Sequence, residues 1–107
     1  MSWQNLLSQN RVERHTASKQ ELDDLRALVA RNLQDAALPG LYADNKLALS
    51  YEAGLILSKM VIACAGYRVK GHPGHHKISF EVLPLAIDKS VEPVADFFEQ
   101  CRRAAEI

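Results

Sequence analysis

The chain has 107 residues, 48% of them hydrophobic, and thirteen basic side chains balance thirteen acidic ones. That length predicts one domain over residues 1–107. Such a composition excludes a disordered chain, and zero net charge excludes a global pull toward nucleic acid or membrane.

Cys64 and Cys101 lie in apolar, helix-like segments and read as buried small side chains, not as a disulfide framework. The N-terminal MSWQNLLSQNRVERH is too polar for a secretory leader. The longest strongly apolar stretch, Met60–Tyr67, falls short of the ~20 residues a membrane span needs. A cytoplasmic protein without a membrane partner is the expectation.

The first element is a short helix over Ser2–Asn10, capped by Ser2, with Trp3, Leu6 and Leu7 on one face. Trp3 reads as a core anchor or dimer contact and His15 as a solvated loop residue. Ser18-Lys19-Gln20-Glu21 has the form of a capping box, in which each end satisfies the other's free amide. Leu22, Leu25, Val29, Leu33 and Ala36 follow at helical spacing until Leu38-Pro39-Gly40 stops the helix. Asp44 reads as the N-cap of a long helix over Lys46–Ala65, apolar around most of its circumference and therefore central. Gly54 would let a neighbour approach closely, Leu57 is a core candidate, and Tyr51 faces either core or cleft. Gly66 is placed to end that helix in a left-handed conformation.

Tyr67–Gly74 reads as a loop. Ile78–Ile87 fits strand and helix periods alike; with no partner strand in view it reads as a helix, bent or ended near Pro84. Ser90 caps the last helix, with Pro93 in its first turn. Val94, Phe97, Phe98 and Cys101 are its core candidates, and Arg102-Arg103 complement its C-terminal end. The sum is an all-α fold, an up-and-down bundle of four to five helices.

One segment differs in composition from its surroundings. Tyr67–Lys77 holds three of the four histidines, His72, His75 and His76, with Arg68, Lys70 and Lys77. Three readings compete. Arg68 can grip a phosphate with two parallel hydrogen bonds, the lysines add charge, and a histidine can exchange protons with a ribose hydroxyl near neutral pH. The histidines alone have a plausible metal spacing, but no carboxylate lies in the loop and the lysines oppose a divalent ion, so no metal is assigned. A purely structural reading makes Gly71–Gly74 a turn and His75 or His76 an anchor for the next helix.

The long helix enters as Asp44-Asn45-Lys46-Leu47-Ala48-Leu49-Ser50-Tyr51-Glu52-Ala53, exits as Ala65-Gly66-Tyr67-Arg68, and is followed by Gly74-His75-His76. In this order, over Ser18–Ile87, the chain resembles the HEPN superfamily of small prokaryotic helical bundles. The resemblance implies homodimers, frequent pairing with a small nucleotidyltransferase in toxin–antitoxin-type systems, no cofactor, and in active members a metal-independent ribonuclease. The family motif is an arginine followed after four to six residues by a histidine, which places Arg68 and His75 as the catalytic pair. Lys70, His72, His76 and Lys77 would then contact phosphate or nucleotide. A non-catalytic binding module, or a structural homodimer without ligand, fits the same residues.

Overall fold

A computed structural model of the protein describes residues 1–71 and 73–105. Helix α1 (Trp3–Ser8) is capped by Ser2, whose hydroxyl accepts the Asn5 N–H at 3.1 Å, and it buries Leu6. Helix α2 (Lys19–Ala36) and helix α3 (Ala43–Cys64) form a hairpin across a short connection. Between them they enclose Val29, Ala53 and Ile56, with Leu25, Leu28 and Met60 against these. The buried stripe of α2 includes Val29 and Asn32, and Leu33 faces outward.

Helix α3 starts earlier than its spacing suggests. Tyr42 is the N-cap, without a side-chain hydrogen bond, and Asp44 sits inside the first turn accepting from the Asn45 N–H. Gly66 ends it at φ +96°, a conformation that favours glycine.

A strand takes the first three residues of the expected Tyr67–Gly74 loop, and its partner follows α1. β1 (Val12–Arg14) and β2 (Tyr67–Val69) pair antiparallel, with Val12 opposite Val69, Glu13 opposite Arg68 and Arg14 opposite Tyr67. The ladder continues at both ends, where His15 N–H donates to the Gly66 carbonyl and Lys70 N–H to that of Arg11, each at 2.9 Å. Trp3 stacks on Tyr67 with ring centroids 4.2 Å apart, which fastens α1 to this ribbon. Leu6, Val12, Ile62, Ile78 and Val82 form the core beneath it.

Helix α4 (His75–Glu81) begins after Gly74, at φ +85°, and hands over to the single turn α5 (Leu83–Ala86). The break at Val82 precedes Pro84, which has no N–H to continue the ladder. The last helix, α6 (Glu92–Ala105), follows a 3-10 turn capped by Asp88, which accepts the Ser90 N–H at 2.8 Å; Ser90 itself is not the cap. α6 packs on α3 and α4, contributing Ala95 and Phe98 to a core with Leu55, Phe80 and Leu83. A Cβ on Gly54 would lie 3.1 Å from the Phe98 ring, so the glycine permits this approach.

The chain is thus predominantly helical, with six helices among the described residues where four to five were expected, and a two-stranded sheet that the sequence reading excluded. Helix α3 is also the one described helix long and apolar enough, by length and composition, to cross a membrane. Its apolar run is longer than Met60–Tyr67 because Ala43–Leu57 is apolar at most positions. Here it packs against α2, α4, α5 and α6 at the centre of the fold. Leu57 and Cys64, expected inside, are exposed on α3, and Val94 and Phe97 are exposed on α6.

Candidate functional site

The ribbon and α4 bring together two residues that the sequence reading paired. Arg68 stands on β2 and His75 opens α4, and both line one cavity of about 260 Å³. Its other polar walls come from His15, Glu21, Lys59 and Ser79, and Leu25, Ala63, Tyr67 and Val69 make the rest. Two further depressions meet the first at His75. One is rimmed by Arg11, Lys70 and Lys77, the other by Tyr51, Glu52, His76 and Arg102.

Arg68 is not idle in this arrangement. Its Nε donates to Glu13 Oε1 at 2.8 Å, and a terminal nitrogen reaches the same oxygen, across the non-local β1–β2 register. The guanidinium holds the Glu13 carboxyl below the usual carboxylate range. The pair is solvent-exposed, and exposed pairs are weak, so a phosphate offering two acceptor oxygens can compete for the fork. Lys70 donates to Asn10 Oδ1, and Lys77 pairs with Glu81 at 3.7 Å one helical turn on. His72 lies outside the described residues.

His76 sits on the far side of α4. Its Nδ1 is 2.9 Å from the Tyr51 hydroxyl, and its ring meets His75 edge to face at 4.4 Å between centroids. Burial, with His75, Lys59 and Arg102 nearby, pushes the His76 imidazole below its ordinary value against the opposing pull of Glu52. A neutral His76 that accepts a hydrogen bond from the Tyr51 hydroxyl at Nδ1 carries its own proton on Nε2. Tyr51 therefore serves both core and cleft, its ring edge-on to Phe80. Arg102 is held by Glu99 through Nε and a terminal nitrogen, at 2.7–3.1 Å.

The residue that sequence reasoning missed is His15. It is no solvated loop residue: its Nε2 meets both carboxylate oxygens of Glu21, at 2.9 and 2.8 Å, and its ring lines the cavity. The signal was present but pointed elsewhere. Ser18 accepts the Glu21 N–H at 3.0 Å as a capping box requires, yet the Glu21 carboxylate turns to His15 instead of the cap. Among the described residues, no group of three or more His, Cys, Asp or Glu is placed to hold a metal ion. Compared with protein-family models, with curated proteins and with solved structures, the chain matches none.

Proposed function

We propose that the protein binds the phosphate of a nucleotide or single-stranded RNA where β2 meets α4, as a HEPN-like module that works alone or beside a nucleotidyltransferase. The observation that supports this is the convergence on His75. One small cavity holds Lys59, Arg68, His15 and His75 on a partly apolar wall, and a basic rim of Arg11, Lys70 and Lys77 adjoins it. Partial enclosure lowers the local dielectric and strengthens each charge on a bound phosphate. The adjoining rim offers a track for flanking phosphates.

A titration of labelled oligoribonucleotide, followed by fluorescence anisotropy in chelator, tests the reading. Arg68→Ala should weaken binding and lower the salt slope by about 1. Absence of wild-type binding at low salt would end the proposal. So would an Arg68→Ala variant that melts earlier yet binds as wild type does, since the arginine would then serve only the ribbon.

A second reading, a metal-independent ribonuclease, is favoured by one observation: Arg68 and His75 share a cavity despite lying on different elements. His75 would take the ribose 2′-hydroxyl proton, and Arg68 would stabilise charge gathering on the phosphorus oxygens. Then His75→Ala should abolish cleavage and leave binding largely intact.

A further inference from the structure

Cleaving a phosphodiester by internal transfer needs two proton movements. The 2′-hydroxyl loses a proton as its oxygen bonds to phosphorus, and the departing 5′-oxygen gains one as its bond to phosphorus breaks. The products are a 2′,3′-cyclic phosphate and a 5′-hydroxyl, with no water, metal or redox partner consumed. An alkoxide leaves poorly, so a general acid beside it lowers the barrier. Arg68 cannot serve, because a guanidinium does not deprotonate in proteins. His75 can accept the first proton but cannot at the same moment donate the second.

The cavity contains another histidine. His15 follows the end of β1 and enters from the side of α2, whereas His75 enters from α4. Pairing with a carboxylate requires a proton on His15 Nε2, which assigns Nδ1 as the nitrogen that exchanges with a ligand. Glu21 holds the ring through both carboxylate oxygens, as a carboxylate behind a histidine does in many hydrolytic sites. The backbone adds to this: His15 N–H is fixed to the Gly66 carbonyl at 2.9 Å, so the residue is tied to the same ribbon that carries Arg68. Lys59 and Arg68 are the other charged side chains that line the cavity beside His15 and Glu21, and Glu13 is ion-paired to Arg68.

We infer that His15, positioned by Glu21, is the general acid for the leaving 5′-oxygen, opposite His75 as base. The inference rests on the ribonuclease reading and names for it a substrate class: a phosphodiester with a free 2′-hydroxyl and a poor alkoxide leaving group. Glu21 acts through His15 and is a positioning residue.

Leaving-group chemistry tests this. The full-length protein, in chelator, is assayed on an oligouridylate and on uridine 3′-(4-nitrophenyl phosphate), whose nitrophenolate departs without a proton. His15→Ala should lose about 100-fold on the oligonucleotide and stay near wild type on the nitrophenyl ester. Glu21→Gln should show a smaller loss with the same relief, which a purely structural role would not produce. His75→Ala should lose activity on both. Equal loss of His15→Ala on both substrates, or loss on neither, overturns the assignment while the ribonuclease reading stands. Wild-type inactivity on both overturns both, and the anisotropy titration then judges phosphate binding separately. Melting curves accompany each variant; should His15→Ala fail to fold, His15→Gln keeps a donor for Glu21 and cannot deliver a proton, so the same comparison decides.

Discussion

His76 shows how one side chain couples burial to pH. Its imidazole is pushed below the ordinary value by burial, so the folded protein holds it neutral where an unfolded chain, titrating near ~6.5, begins to bind a proton. Above that pH neither state is protonated and the group contributes no slope. As pH falls through ~6.5 the unfolded state takes up the proton first, and stability drops until the folded value is passed. Carboxyls held low, Glu13, Asp88 and Glu99, act in a more acidic window. Melting temperature should therefore decline between pH 7.5 and 5.5, and His76→Gln should flatten the decline; an unchanged slope in the variant would remove His76 as its cause. Arg68 offers a second test at this scale. Glu13→Gln frees the guanidinium without removing it, so RNA affinity should rise, and a fall would mean that Glu13 orients the fork instead of competing for it. The arginine and the histidine cluster were legible from residue type alone. The partners Glu13, Glu21 and Tyr51 were not, because each arrives by tertiary contact, and Glu21 had a satisfactory local explanation at the head of α2.

Helix α3 carries the lesson at the level of elements. Its length and both its ends were readable to within a few residues, and Gly54 and Gly66 do what glycine's small size and φ freedom suggest. A helix apolar on nearly every side gives no period from which to pick the buried face, so Leu57 was placed inside when it is 44% exposed and Leu55 is 1% exposed. Leu55→Ala should cost about 2–5 kcal/mol, through lost burial and the cavity left beside Phe80 and Leu83. Leu57→Ala should fall below about 1 kcal/mol in the monomer, as surface changes do. Urea titrations of both variants check the order, and equal losses would place Leu57 against something. The strands escaped notice for a different reason. Three residues are too few for an alternating pattern, and β1 finds its partner only after α2 and α3 have intervened.

At the scale of the molecule, the helical class followed from amphipathic spacing, whereas the outward faces could be found only once packing was known. Leu57, Met60, Val61 and Cys64 of α3 meet Ala86 and Ile87 in a shallow apolar groove, and Phe97 stands 60% exposed on α6. An isolated exposed leucine needs no explanation, but a continuous apolar groove does. Zero net charge leaves no long-range repulsion between copies. A stable dimer hides roughly 800 Å² per partner, which one face of a chain with 6895 Å² of surface can supply. A homodimer is therefore the expected state in solution. Light scattering at about 100 μM should give twice the 11.9 kDa chain mass, far above the concentration at which a micromolar dimer dissociates. Leu57→Glu and Phe97→Glu separate the two exposed sets: the one within the interface should yield monomer with melting otherwise little changed, because neither side chain is buried in the core. A wild-type monomer at that concentration would exclude the dimer, and would leave the α3 groove open to a different protein.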